Sequence, residues 1–455
     1  MTIINDQPHV LVIPYPAQGH VMPLMRLSNC LVERGFRITF VITEFIHDRL
    51  INALPEKGKE LVGINLVTIS EFTLDERKDQ NKSDDAVYSN LPAELEKLIK
   101  VNESSDSGKI ACVIADETLA WALDVAKRMG IRRASFIPVA AGVKAFVYHI
   151  PKLIESGVID ENGTTKIKEE TVMWSPNMPS LKTAHFMWNC MAGLVSPEIM
   201  FQTVIDANKS SKSAEWVLCN TFEELEPAAL ALVRNLLPIG PLLSTNQVGN
   251  LWPEDSTCLS WLDQQATRSV VYVAFGSIAI FNQRQFDELA LGLELLGRPF
   301  LWVFRSQSDL FGRPTTTFPD GFQDRVAQIG KIVAWAPQQK VLAHPSIACF
   351  VTHCGWNSTV EGVSMGVPFL CWPHFADQLF DGDYITDTWR VGLGLNPDED
   401  GIISKDEIKR KSNQLLQSAE IRENALKLKE MAMKSVGKGG SSSKNLELFL
   451  EELKT

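Results

Sequence analysis

The 455-residue chain has no C-x-x-C pair among its eight cysteines, no apolar run approaching a membrane span, and no excess of basic residues. Each absence excludes something. Without close pairs there is no disulfide framework, and the cysteines at 30, 112, 190, 219, 258, 349, 354 and 371 read mostly as small core residues in apolar strands. Cys349, His353, Cys354, Cys371 and His374 have metal-ligand side chains, but adjacent strand residues point to opposite faces and do not converge tetrahedrally. No Asp-x-Asp pair stands directly after a strand, so neither a metal nor a bound cofactor is expected. A net charge of −11 argues against nucleic acid or an anionic membrane as partner. The opening MTIINDQPH lacks a basic region leading into an apolar stretch, so a cytoplasmic protein without membrane insertion is expected, and a monomer.

What is present is an ordinary globular composition, 45% hydrophobic and 22% charged, on a chain too long for one compact core. Two α/β domains are the natural expectation. In the first half Val10–Tyr15, Ile38–Thr43, Ile64–Ile69, Ile110–Ala115, Ala134–Val139 and Trp216–Asn220 read as strands, most separated by helical stretches. The second half repeats the habit with Val270–Phe275, Phe300–Phe304, Lys331–Ala334, Ile347–Thr352, Pro368–Trp372 and Val391–Leu395. Such alternation implies doubly wound parallel sheets. The stretch from Pro238 to Pro253, rich in Pro, Gly, Asn and Ser, reads as a linker. Asp75 to Asp85 and Gly157 to Glu170 read as surface loops.

The most informative stretch runs from Trp335 to Gln378. Ile347–Thr352 is a short apolar strand, followed at once by the turn His353-Cys354-Gly355-Trp356 and a helix expected to begin near Asn357. Gly355 lets a backbone approach a ligand closely, and Asn357 and Ser358 are cap-type residues. Unpaired amides and a partial positive charge at such a helix start bind phosphate oxygens without Lys or Arg, and neither occurs between Val341 and Phe380. One turn on, Glu361 has the reach to accept from two ribose hydroxyls, Trp335 offers a face for a base, and Asp377 and Gln378 suit a sugar's hydroxyls.

A second constellation lies near the N-terminus. The strand His9–Tyr15 runs into Pro16-Ala17-Gln18-Gly19-His20 and an apolar-periodic helix through Leu31, while the strand Ile110–Ala115 ends in Asp116. In an open parallel sheet both would project into the crevice beyond the strands' carboxyl ends.

The stretch from Trp335 to Gln378, with the N-terminal Pro-Ala-Gln-Gly-His and the strand-then-Asp pattern, resembles the plant UDP-dependent glycosyltransferases of family 1, enzymes of secondary metabolism. The resemblance implies the GT-B fold, two doubly wound Rossmann-like domains facing a cleft. It divides the chain into an acceptor-binding domain (1–240), a linker (241–255), a UDP-sugar-binding domain (256–437) and a C-terminal helix (438–455) packing back on the first domain. It implies that Trp335 stacks the uracil and the backbone of Ala336 bonds it, that Gln338 and Glu361 hold the ribose, and that His353, Gly355, Asn357 and Ser358 take the diphosphate with Ser277. Trp356, Asp377 and Gln378 would meet the hexose; a terminal Gln points to UDP-glucose as co-substrate. His20 would be the base and Asp116 its partner, and Gly19, next to His20, would be among the UDP-sugar contacts. Two positions depart from the family's pattern: Pro138-Val139-Ala140 stands where many relatives have a Thr or Ser, and Asp381 where they often have Asn.

The expected reaction is inverting transfer of glucose from UDP-glucose to a hydroxyl of a small apolar acceptor, most naturally a phenolic or flavonoid, giving a β-glucoside. The alternatives are a nucleotide-sugar epimerase and a non-catalytic UDP-sugar-binding protein. Trp121, Phe146, Phe186, Met187, Trp188, Met191 and Phe375 are the candidates for an apolar acceptor pocket, though core packing explains any of them equally well. Gly362-Val363-Ser364-Met365-Gly366 satisfies the hydrolase nucleophile pattern, yet no acid and then His follow in order, and a helix stands where that elbow needs a strand.

Overall fold

A computed structural model describes residues 7–53, 61–69, 90–104, 109–166, 171–176, 178–190, 195–243, 251–277, 281–305 and 316–455. The expected loop Asp75 to Asp85, the end of the one expected at Gly157 to Glu170, and Met191 lie outside the described residues. The strands are β1 His9–Ile13, β2 Arg37–Thr43, β3 Ile64–Ile69, β4 Ile110–Asp116, β5 Arg132–Ile137, β6 Thr171–Val172, β7 Leu181–Lys182, β8 Trp216–Cys219, β9 Leu236–Pro238, β10 Val270–Ala274, β11 Phe300–Val303, β12 Gly330–Val333, β13 Ile347–Thr352, β14 Phe369–Cys371 and β15 Gly392–Gly394.

Contacts divide the chain into two compact units, 1–151 with 199–253 and 436–455, and 152–198 with 254–435. The first holds a sheet in the order β3-β2-β1-β4-β5-β8-β9 and the second a sheet in the order β12-β11-β10-β13-β14-β15. Every pairing in both sheets is parallel. Parallel strands are covered by helices on both faces, so their central members read as unbroken apolar runs. HVLVI in β1 and VVYVA in β10 are buried at every position. Among the described residues, no helix is long and apolar enough to cross a membrane.

Three boundaries differ from those expected. Residues 152–198 group with the second unit, where Trp174 packs 6.5 Å from Phe380 and the Tyr384 hydroxyl meets the Met178 sulfur. β9 arises inside the start of the expected linker; Pro238 is tolerated there because β9 is an edge strand. The stretch after it is anchored in the first unit: Leu242 donates its amide to Asn220 Oδ1 at 2.8 Å, and Leu242 and Leu251 are buried in that unit's core. The unit boundary falls at Pro253/Glu254.

Two helices of the first unit have their ends satisfied by distant residues. The helix Ala141–Glu155 begins with the amides of Ala141 and Gly142 donating to Glu226 at 3.0 and 2.8 Å, and Thr221 Oγ1 donates to the same carboxylate at 2.6 Å. The terminal helix Ser441–Lys454 presents Leu446, Phe449, Leu450 and Leu453 to the core around β1 and β2. Arg132 donates to the carbonyls of Glu452 and Leu453 at 2.6 and 2.9 Å, meeting groups that a helix end leaves unpaired. Phe449 is 1% exposed and meets the Trp216 ring edge-on at 5.3 Å. Phe449→Ala therefore removes a buried ring from the first core, and urea unfolding should show a loss of about 3–5 kcal/mol.

Candidate active site

In the first sheet the strand order reverses beside β1: β2 and β3 lie on one side, β4 and β5 on the other. The helices that leave β1 and β4 diverge at such a point, opening a crevice at the strands' carboxyl ends. His20 enters it from the first turn of the helix Gln18–Glu33, next to the exposed Gly19. Asp116, the last residue of β4, is fully buried. His20 Nδ1 donates to Asp116 Oδ2 at 2.7 Å, with the His20 side chain 26% exposed. A carboxylate only accepts, so it holds the Nδ1–H tautomer and leaves the Nε2 lone pair as the ring's basic site. Asp116 Oδ1 accepts from the amide and hydroxyl of Thr118 at 3.0 and 2.6 Å. The Tyr15 ring centroid lies 5.1 Å from that of His20.

The second sheet reverses between β10 and β13, and both strands end in residues of the informative stretch or its partner loop. Gly276 and Ser277 follow β10; His353, Cys354 and Gly355 follow β13. The His353 ring sits against two glycine backbones, because a Cβ at Gly276 or at Gly355 would lie 2.6 Å from its Nε2. Gly276 also has φ +69°, a left-handed conformation that glycine takes without strain. Burial, with His374 nearby, lowers the His353 pKa to about 3, so the ring is neutral at physiological pH. Cys354 is held at φ 66°, its amide donating to Thr352 Oγ1 at 3.2 Å and its carbonyl accepting from Thr359 Oγ1 at 3.0 Å.

The following helix is Trp356–Met365, with Gly355 at its N-cap and no side-chain cap. Asn357 and Ser358, expected as caps, thus fall inside the first turn, because the chain enters helical geometry one residue earlier. The Trp356 ring is buried, 6.4 Å from Trp389, which leaves its main chain at the helix start. Glu361 is 4% exposed and accepts from Gln338 Nε2 at 2.8 Å and from Gln339 Nε2 at 3.0 Å. Gln338 also donates to Ser358 Oγ at 3.0 Å and accepts from the Tyr272 hydroxyl at 3.1 Å. A carboxylate oxygen can accept more than one hydrogen bond.

Trp335 follows β12, with the Arg305 guanidinium 5.5 Å from its ring centroid, and Ala336 beside it is buried. Arg305 donates to the Ser277 carbonyl at 3.0 Å, linking the base-sized face to the loop after β10. The Gln378 carboxamide oxygen accepts the amides of His374 and Phe375 at 2.9 and 3.3 Å, tying down a turn in which Ala376 has φ 56° and Asp377 follows. Arg305, Tyr272, Gln339 and Thr118 escaped the sequence reading. For Arg305 a signal existed: it stands two residues beyond β11, at a strand's carboxyl end.

The acceptor candidates fare unevenly. Phe146, Phe186 and Trp188 are interior, with Phe186 and Trp188 ring centroids 5.1 Å apart and Trp188 Nε1 donating to the Gly163 carbonyl at 2.9 Å. Core packing accounts for these three. Trp121, Met187 and Phe375 are partly exposed. Ser364 is fully buried within a helix and donates to the Val360 carbonyl at 2.7 Å, which removes the hydrolase elbow.

Residues 8–434 match the family described as "UDP-glucoronosyl and UDP-glucosyl transferase". The chain is 43% identical over 466 residues to UDP-glycosyltransferase 83A1 of Arabidopsis thaliana, covering 99% of this chain and 97% of the relative. It is 31% identical to linamarin synthase 1 of Manihot esculenta, covering 98% and 97%. Among solved structures, a UDP-glucosyltransferase from Polygonum tinctorium superposes with a TM-score of 0.83 at 29% identity, covering 99% of each chain. Phytolacca americana UGT2, complexed with UDP-2fluoro-glucose and pterostilbene, gives 0.81 at 26% identity, covering 98% of this chain and 100% of its own. Switch-point geometry, family match and full-length relatives agree: the chain belongs to the plant UDP-dependent glycosyltransferases of family 1, built on the GT-B fold and using a UDP-sugar donor.

Proposed function

We propose that the protein is an inverting glucosyltransferase that moves glucose from UDP-glucose to a hydroxyl of a small aromatic acceptor, a phenolic or flavonoid. The observation that carries this reading is the 2.7 Å hydrogen bond from His20 to Asp116 at the first sheet's switch point. A phenol has a pKa near ~10 and keeps its proton at neutral pH, so its oxygen needs a base as it attacks. His20 Nε2 takes that proton, and Asp116 stabilises the imidazolium that forms. The acceptor oxygen bonds to the anomeric carbon as the bond to the diphosphate oxygen breaks, and one displacement turns an α-linked donor into a β-glucoside.

In the second unit, Trp335 and Ala336 receive the uracil, and Gln338 with Glu361 the ribose. The diphosphate lies at the start of the helix Trp356–Met365 with His353, Gly355 and Ser277. There the amides of Trp356, Asn357 and Ser358 meet the charge that builds on the leaving group, in place of a metal ion. His353 contributes as a neutral donor. Asp377 and Gln378 orient the hexose. Glucose as the sugar is supported by relatives, among them a Fragaria ananassa protein called a putative UDP-glucose glucosyltransferase, at 32% identity. Aromatic acceptors are supported by pterostilbene and 3,4-dichloroaniline in the Phytolacca and Polygonum complexes.

Incubation with UDP-glucose and a panel of phenolics, terpenoids and carboxylic acids should give products heavier by one hexose, with phenolics foremost; donor loss without any acceptor would speak for an epimerase instead. His20→Ala should lower turnover by roughly 10²–10⁴-fold while calorimetry finds UDP affinity nearly unchanged, and wild-type turnover would remove the base assignment. Gly276→Ala should do the reverse in binding. Displacing the His353 ring and straining the turn should weaken UDP about tenfold or more, a loss of ~1.4 kcal/mol or above.

A further inference from the structure

We propose that Thr118 is a positioning residue for the proton-accepting pair, setting both the aim and the strength of Asp116 toward His20. This rests on the reading of His20 as the base.

Asp116 has two oxygens with separate tasks. Oδ2 accepts from His20 at 2.7 Å, while Oδ1 accepts from the Thr118 amide at 3.0 Å and the Thr118 hydroxyl at 2.6 Å. The backbone makes the second arrangement local. β4 ends at Asp116, whose carbonyl accepts the amide of Leu119 at 2.9 Å, so the chain turns back at once and brings residue 118 under the carboxylate. An aspartate two residues before an amide it can accept is a self-contained turn, and a Thr at that amide adds a second donor to the same oxygen.

The consequence is geometric first. A carboxylate can rotate about its Cβ–Cγ bond, a broad, roughly two-fold torsion. Two donors on Oδ1 remove that freedom and leave Oδ2 facing Nδ1. Asp116 is also fully buried, so its charge faces the donors on its two oxygens. The Thr118 hydroxyl draws negative charge toward Oδ1 and so moderates the pull that Oδ2 exerts on the ring proton. Without it, Oδ2 would pull harder on that proton. Thr118 thus fixes how Asp116 is turned and how strongly it holds the ring.

Thr118→Val keeps the shape and the amide but removes the hydroxyl; Thr118→Ser keeps the hydroxyl. The expected result for Thr118→Val is a several-fold fall in kcat at pH 7, an unchanged KM for UDP-glucose, and an acidic limb of the kcat/KM profile moved to higher pH. Thr118→Ser restores both rate and limb. Thr118→Val with wild-type kcat and an unmoved limb overturns the proposal, as does a lowered kcat that Thr118→Ser does not restore. His20→Ala is run alongside: if it keeps wild-type turnover, the base assignment fails and this inference falls with it. If His20→Ala is inactive and Thr118→Val behaves as wild type, the inference alone fails.

Discussion

The reversal of strand order beside β1 and again beside β10 is the constraint on which the rest depends. A parallel sheet wound in one direction closes its strand ends under successive helices; only where the winding changes sides does a gap stay open. The candidate catalytic and donor-binding residues stand at those gaps. His20 and Asp116 leave the two strands that flank the first, and Gly276-Ser277 and His353-Gly355 leave the two that flank the second. Residues 96 positions apart are thereby brought to hydrogen-bond distance by strands that are direct neighbours, so the pairing follows from register. Rigidity follows too, because β1, β4, β10 and β13 are the buried centres of their sheets.

In the second unit, electrostatics is handled mainly by the backbone. The stretch from the end of β13 through the next helix contains no Lys or Arg, and burial keeps His353 uncharged. What remains for an anion is oriented amides. Their aim depends on a turn that a side chain would spoil: Cys354 in a left-handed conformation, and glycines at 276 and 355 against the His353 ring. Dipoles held in place need no rearrangement as charge moves, which is the condition for stabilising a transition state rather than a bound ground state.

Much of this was legible in the sequence, for identifiable reasons. Central parallel strands read as apolar runs, so β1, β4, β10 and β13 emerge within a residue or two of their observed ends. The edge strand β9 did not, since a three-residue strand holding Pro238 has neither length nor period to announce it. His20 and Asp116 could each be placed at a strand's carboxyl end, but spacing alone could not pair them; that came from the family resemblance. Thr118, Gln339 and Tyr272 were invisible because they act by touching other side chains, which no periodicity encodes. Phe146, Phe186 and Trp188 misled because an aromatic residue's identity does not tell whether it faces inward. The contact grouping differs from a division at residue 240 because the segment 152–198 packs by contacts far along the chain.

Two copies of one architecture end up with opposite tastes. In the second unit the helix after β13 starts without a side-chain cap, and negative charge is welcome there. In the first, the helix after β5 starts against Glu226, a buried carboxylate already seated on its leading amides. That helix's leading amides, which a helix start leaves without partners, are already met by the chain's own carboxylate, so the same element opens on an internal contact in one half and on bare main chain in the other.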